Sequence, residues 1–308
     1  FEVVAGVAII VGWQSKLFSR LLLLLILFFT FLTGYATLSG RFTSCGCFGD
    51  CLPLSPLQSF IKDLVLMVLI VIIFINKSRI QPLFQSKQFS IAIILVTVIS
   101  VMLFQSYVLK YLPALDCLPY KKGNDIIEQM KVPAGAVSDS FAMTFQYKKD
   151  GKKVEFDEEH FPPDFDSTYE FINRYDKLIR KGTATPPITD FALQTINGND
   201  TTAAILQQPK YVLVFIQNFE QWNQHADDFA EISNACKAAQ IPLFIVTPNP
   251  QQAALTLLGT NILRCDATVL KTAARVIPTY FVMKKAVIEL KESYASKNKI
   301  LRYLHSIQ

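Results

Sequence analysis

Strong charge of one sign is missing from this chain. Its 308 residues carry a net charge of +5, and the basic residues are scattered, so a nucleic-acid partner would find no electrostatic footprint. Histidine is scarce: there are three, the first at His160. Cysteines earlier in the chain therefore have no imidazole nearby to complete an ordinary zinc site. None of the six cysteines stand in C-x-x-C spacing. No methionine opens the chain, and Phe1 already lies inside an apolar run, FEVVAGVAIIVGW, too short to cross a bilayer. The run lacks the basic front and small-residue cleavage site of a signal sequence, and it reads as the tail of a helix whose start is missing.

What is present divides in two. Hydrophobic residues make up 51% of the whole, but they dominate up to Lys110 and mix with polar residues beyond it. The length allows one membrane bundle, residues 1–110, plus one ordinary globular domain. Residues 21–38 (LLLLLILFFTFLTGYATL), 57–75 (LQSFIKDLVLMVLIVIIFI) and 89–109 (FSIAIILVTVISVMLFQSYVL) each approach or reach the roughly 20 residues that cross a bilayer. Three such spans in succession are unlike buried helices of a soluble core. Lys16 and Arg20 flank the first turn, and Lys77, Arg79 and Lys87 fill the loop after the second span. The loop between them has only Arg41, offset by Asp50. The positive-inside rule places the two basic loops in the cytoplasm. The middle loop and everything after Leu109 then lie outside, in one compartment.

That middle loop reads SCGCFGDC and holds Cys45, Cys47 and Cys51; Cys117 follows just past the last span. Outside the cytoplasm thiols tend to pair, and four cysteines allow three complete pairings that sequence cannot rank. Cys45 and Cys47 flank one glycine and can close only a small, strained ring, and strained disulfides are oxidising. Gly46 permits the backbone angles such a ring needs, and Gly49 lets the chain fold back toward Cys51. Cys45, Cys47, Cys51 and Cys117 are thus candidate catalytic residues in a relay, one pair near the membrane exchanging with Cys51 and Cys117. Two competing readings are a structural clasp and a four-thiolate metal site, the latter disfavoured by spacing. Lys62 and Asp63 fall about two turns into the following span, where ionisable residues are functional candidates. Lys62 could stabilise a thiolate or simply reach the interface.

After the spans, residues 111–184 read as an extracytoplasmic connector. FAMTFQY and KKVEF form a strand pair joined at KKDG. FDEEHFPPDFDSTYEFINRYDKLIRK predicts acidic turns followed by an amphipathic helix. From residue 185 strands and helices alternate. PPITDFALQTINGND reads as a strand with a turn at Asn197-Gly198, and KYVLVFI as a central buried strand. A helix over 219–239, the strand IPLFIVT, the helix QQAALTLLG, ILRCD, ATVLKTAAR, a strand pair in YFVMKKAVIEL and a terminal helix complete an α/β layer structure.

P-x-x-DF-x-L, VLVFI and V-I-P-T before a strand resemble a thioredoxin-like domain of the peroxiredoxin or TlpA type, over residues 185–308. The resemblance implies a cis-proline turn at Pro278; an ordinary trans proline opening an edge strand is the alternative. It also implies a dithiol after the central strand, at a helix N-terminus that lowers the thiol pKa. Here that region reads QNFEQWNQHADDF, with Glu220 and Asn223 in the approximate thiol positions, so the domain lacks dithiol chemistry there. Cys236 and Cys265 read as buried small hydrophobes.

The membrane half, with CGCFGD after a span, resembles the DoxX/MauE family of redox-associated membrane proteins, in the bacterial subgroup fused to a cysteine-poor thioredoxin-like tail. The resemblance implies a bundle of four or more helices, one and part of the next preceding Phe1, in the bacterial inner membrane with the tail in the periplasm. By architecture alone it is distantly similar to quinone-linked thiol oxidases of the DsbB and vitamin K epoxide reductase type. The expected fold class is mixed: a transmembrane helical bundle, then an α/β thioredoxin-like domain. The expected function is membrane-bound thiol–disulfide exchange or protein maturation. Its partners are the lipid bilayer and an exported or membrane protein, quinone is the candidate cofactor, and the tail serves for docking. The rival reading is a non-catalytic membrane scaffold whose cysteines form a structural bond.

Overall fold

The computed structural model describes residues 1–39, 46, 48–138, 140–157, 160–163, 165–180, 182 and 184–306. Four helices come first: α1 (Glu2–Val11), α2 (Ser15–Ser39), α3 (Pro56–Ile75) and α4 (Lys87–Lys110). The last three are long and apolar enough to cross a membrane. α1 ends at Gly12, which takes a left-handed backbone, φ +73. A side chain there would meet the Gln81 carbonyl oxygen at 2.6 Å, so the close approach of the α3–α4 loop requires glycine. α3 begins with a reciprocal cap: the Ser55 hydroxyl accepts from the Gln58 N–H, the Gln58 side chain accepts from the Ser55 N–H, and Pro56 opens the helix.

The ends of the bundle differ in composition. The Leu83 N–H donates to the Val11 carbonyl, and the Ser15 hydroxyl to the Lys77 carbonyl. The α1–α2 turn, followed in α2 by Lys16 and Arg20, and the α3–α4 loop, with Lys77 and Arg79, therefore meet at one end. The cysteine loop and the chain leaving α4 meet at the other. Between the ends most apolar side chains of α2 to α4 face outward, and the buried positions include Ser19, Thr33, Ala36, Ser59, Asp63 and Ser90. Small and polar residues inside with apolar ones outside suit helices solvated by lipid.

Beyond α4 the chain makes a short helix α5 (Ile126–Gln129), then β1 (Ser140–Lys149), β2 (Lys152–Asp157) and β3 (Glu170–Arg180). These strands form one antiparallel sheet in the order β2-β1-β3. Asp150 and Gly151 take positive φ, +51 and +78, the two-residue hairpin turn expected from KKDG. The helix expected before residue 181 is instead β3. Phe171, Ile172, Tyr175 and Leu178 are spaced like a helical face, but the segment pairs with β1 along its length, with two register shifts. Cross-strand rings decide the outcome: Phe171 lies opposite Tyr147, their centroids 5.5 Å apart.

The α/β region follows: α6 (Thr202–Leu206), β4 (Tyr211–Phe215), α7 (Phe219–Asn223), α8 (Ala226–Ala238), β5 (Leu243–Thr247), α9 (Pro250–Thr256), β6 (Asn261–Arg264), α10 (Ala267–Ala273), β7 (Thr279–Lys284), β8 (Val287–Ser293) and α11 (Lys297–Ser306). Five strands order as β6-β5-β4-β7-β8, with β4, β5 and β6 parallel and β7 and β8 antiparallel. Every residue of β4 is buried. Tyr211, Leu213 and Phe215 face a core shared with α6 and α10. Val212 and Val214 face one shared with α8 and α11. Both faces are covered, which is why β4 reads as a continuous apolar run. The stretch from Pro187 forms no strand among the described residues; Gln194 makes isolated bridges to Asp200 and Arg264, and the turn holds Gly198 at φ +86.

One segment of the connector belongs to this core. Gly123 and Ile126 donate backbone N–H groups to Ile288 and Ala286, and Tyr120 and Ile126 are buried among the tail's own side chains. The α/β region therefore receives the chain almost as soon as it leaves α4.

Candidate functional site

Cys45 and Cys47 lie outside the described residues. Around them, Gly46 and Gly49 both take left-handed backbone, φ +53 and +65, a conformation that strains any residue with a Cβ. The Gly49 N–H donates to the Gly46 carbonyl at 2.9 Å. This turn runs into a single 3-10 turn, Gly49–Cys51, which brings Cys51 to Cys117. The two form a disulfide, with Cα atoms 5.0 Å apart, and both half-cystines are exposed. That bond rules out the two pairings that would join Cys51 or Cys117 to Cys45 or Cys47. The bond also occupies two of the four thiolates that a metal site in this loop would use.

Cys117 is anchored to the tail through its neighbour. The Asp116 carboxylate accepts from the Leu118 N–H at 3.1 Å and lies 2.6 Å from the Lys291 ammonium on β8, whose side chain is only 6% exposed. Burial pushes the Lys291 ammonium below the usual lysine range, against the opposing pull of Asp116. The disulfide and the ion pair together join the cysteine loop to the sheet of the tail.

Lys62 and Asp63 sit about 9 Å along α3 from Pro56. Asp63 is buried, and its carboxylate is engaged at both oxygens: the Thr33 hydroxyl of α2 donates at 2.9 Å, and the Lys62 ammonium lies at 3.0 Å. The same ammonium is 5.4 Å from the centre of the Phe48 ring, and Phe48 follows Cys47 directly. Lys62 thus stands between the membrane-buried carboxylate and the thiol loop. Sequence reasoning missed Thr33 and the Asp116–Lys291 pair. A threonine in an apolar run carries no signal until α2 meets α3, and 175 positions separate Asp116 from Lys291.

In the tail, the position after β4 holds α7. The Asn218 side chain caps it by accepting from the Glu220 N–H at 2.8 Å. Glu220 and Asn223 both lie on this helix, with no cysteine beside them. The Ile277–Pro278 peptide is cis. The Pro278 carbonyl accepts from the Tyr294 N–H at 3.0 Å, and the Tyr294 ring stacks on His225 with centroids 3.7 Å apart. Cys236 on α8 and Cys265 after β6 are buried, and burial pushes both thiols up to about 12. At neutral pH neither is a useful nucleophile.

Residues 141–181 match a family described as Domain of unknown function (DUF8463), the stretch that forms β1, β2 and β3. No curated protein matches. The solution structure of a thiol:disulfide interchange protein from Bacteroides sp. aligns over 37% of this chain and 86% of that one, with 12% identity and a TM-score of 0.30. Residues 1–76 match the family Methylamine utilisation protein MauE. The membrane segment is thus similar to MauE, and the α/β region, by its strand order and cis-proline turn, resembles a thioredoxin-like fold.

Proposed function

We propose that this chain is a multi-pass protein of a bacterial inner membrane, its tail in the periplasm, that relays thiol–disulfide exchange between an exported partner and the bilayer. The observation that carries the reading is the exposed Cys51–Cys117 disulfide, placed between the thiol loop and the tail. Exposed disulfides are the labile and catalytic ones, because a thiolate can reach a sulfur in line with the bond.

The electron count is simple. A partner thiolate attacks one sulfur of Cys51–Cys117, a mixed disulfide forms, and the other sulfur leaves as thiolate. The partner's second thiol resolves the adduct, so the partner gains a disulfide and Cys51 and Cys117 become thiols. A Cys45–Cys47 disulfide restores them by the same exchange and is itself reduced. When bound, a quinone takes up the two electrons and two protons released as Cys45 and Cys47 rejoin. Lys62 favours the thiolate form in the loop by its positive charge, and Gly46 and Gly49 let the loop adopt both redox states. The tail, lacking thiols beside Pro278, serves to dock the partner.

Thiol trapping in intact cells tests the reading. Cys45 and Cys47 should be found as a mixture of oxidised and reduced forms whose ratio shifts when quinone supply is blocked. A fixed redox state at all four cysteines under every condition leaves the scaffold reading in its place. That second reading has one specific observation in its favour: Asp116–Lys291 and Cys51–Cys117 together would make a firm clasp.

A further inference from the structure

The sheet β2-β1-β3 ends in two edges, and among the described residues no further strand pairs with either. β3 is the longer edge, at 11 residues, and every residue from Phe171 to Asp176 is exposed. Its register shifts against β1 fall at Ile172 and Ile179, which leaves a regular stretch from Asn173 to Leu178 between them. A bare regular edge is a template for another strand. This one is complementary to itself. Read outward from Tyr175, EFINRYDKLIR sets Arg174 against Asp176, Asn173 against Lys177, Ile172 against Leu178 and Glu170 against Arg180. Two copies laid antiparallel about Tyr175 therefore oppose base to acid and apolar to apolar, as stabilising cross-strand pairs do. A register centred on Arg174 would instead set Ile172 against Asp176. The β2 edge lacks this property: KKVEFD paired with itself sets Lys153 against Phe156 and Val154 against Glu155.

We infer that β3 is a dimerisation edge: two copies of this chain pair β3 antiparallel about a two-fold axis at Tyr175, joining two three-stranded sheets into one. Such a contact is isologous and closes at two copies. The side chains at its centre are available. Arg174 and Asp176 are each about half exposed, and their contact within the chain is a long 3.5 Å. The Tyr175 hydroxyl donates to Glu155 on β2 at 2.8 Å, which draws the ring back over the sheet and leaves the edge open. The backbone agrees. The Arg174 N–H donates to the Asn173 side-chain oxygen at 2.9 Å, an exposed bond, and alternate residues of a strand turn their N–H groups to the same edge. Arg174 and Asp176 thus present their backbone groups on the free side, and across the axis each Arg174 exchanges both backbone bonds with Asp176 of the second copy. Two short strands bury less than a standard interface. Confinement of both copies to one bilayer supplies the effective concentration that so small a contact needs.

The test uses the full chain, co-expressed with two different tags and extracted into nanodiscs. Pulling on one tag should recover the other. Arg174→Asp and Asp176→Arg set acid against acid and base against base across the axis, and each should cut that recovery about tenfold. Co-expressing the two variants should restore it, because each copy then meets opposite charge in the other. A contact confined within one chain would be mended by the double variant Arg174→Asp/Asp176→Arg and never by the mixture. In membranes, Tyr175→Cys should cross-link to a second copy on mild oxidation, and Lys153→Cys on β2 should not, with the unsubstituted chain as the background for its own cysteines. An intact Cys51–Cys117 bond and an unchanged melting curve serve as the check on folding; should the charge variants fail it, the Tyr175→Cys cross-link decides. No recovery between tags, a mixture that does not recover, or a cross-link from Tyr175→Cys only to a different protein overturns the proposal.

Discussion

The Lys291 ammonium on β8 lies 2.6 Å from the Asp116 carboxylate, one residue before the half-cystine that closes the thiol loop. A buried cation so placed depends on its partner, because removing the partner leaves the charge desolvated and unpaired. Asp116→Asn should therefore destabilise the tail by about 3 kcal/mol, and adding Lys291→Met should recover much of the loss. The sign of the pH effect follows from the lowered Lys291 pKa. The folded state binds this proton less tightly than the unfolded state does, so stability should rise with pH up to the unfolded value of 10.5. Asp116→Asn should steepen that rise. Urea melts of the tail between pH 7 and 10 would show it, and a flat profile in both proteins would remove the argument.

The tail should depend on residues that precede the α/β region in sequence. Ile126 is fully buried and Tyr120 nearly so, both in the core that Phe215 and Phe281 share. A fragment of residues 118–306 should be clearly more stable than one of 185–306, and Ile126→Ala should cost the longer fragment about 2–4 kcal/mol. Neither fragment should reduce insulin disulfides, because the only thiols are Cys236 and Cys265, which burial holds protonated. Reductase activity in the longer fragment would show that one of those two becomes accessible.

Topology can be read by labelling. The α1–α2 turn meets the α3–α4 loop through the Val11–Leu83 and Ser15–Lys77 hydrogen bonds, so both basic loops share one side. A cysteine introduced at Lys77 should resist an impermeant maleimide in intact cells, and one at Lys152 should react, with the labelled peptides identified by mass spectrometry. The reverse pattern would invert the protein in the membrane and place its thiols in a reducing compartment.

Within the bundle, Thr33→Val should weaken the α2–α3 contact by about 1 kcal/mol, since it removes a hydrogen bond to a charged group in a setting where polar contacts between helices are worth that much. The loss should register as a lower melting temperature in detergent. An unchanged melt would mean that Lys62 alone satisfies Asp63.

The spans and the central strand were legible because their signal is local: about 20 apolar residues for a span, a short unbroken apolar run for β4. β3 was not, because its apolar residues follow a helix's spacing and the pairing with β1 that makes it a strand is not visible in the segment itself. The pairing of Cys51 with Cys117 could not be ranked from sequence, since four chemically equal thiols differ only in where the fold sets them. The glycines were readable for the opposite reason. Positive φ at Gly46 and Gly49 is a property of the residue as much as of its surroundings.

Single and double serine variants at the disulfide distinguish a relay from a clasp. In a relay, the thiolate left behind after one cysteine is removed can still attack the disulfide of an oxidised partner, one partner sulfur leaving as thiolate, but the missing neighbour can no longer release that adduct from within the chain. Either Cys51→Ser or Cys117→Ser should then accumulate a mixed disulfide with an exported protein, visible as a dithiothreitol-sensitive band. The double variant should show none. A clasp predicts otherwise. Opening a bond between residues 66 positions apart forfeits at most about 4 kcal/mol of loop-closure stabilisation, and the loss is the same whichever sulfur is removed. Single and double variants would then fall in abundance together, with no adduct in any of them. Exposure of both half-cystines favours the first outcome, because an attacking thiolate needs an open approach along the sulfur–sulfur axis.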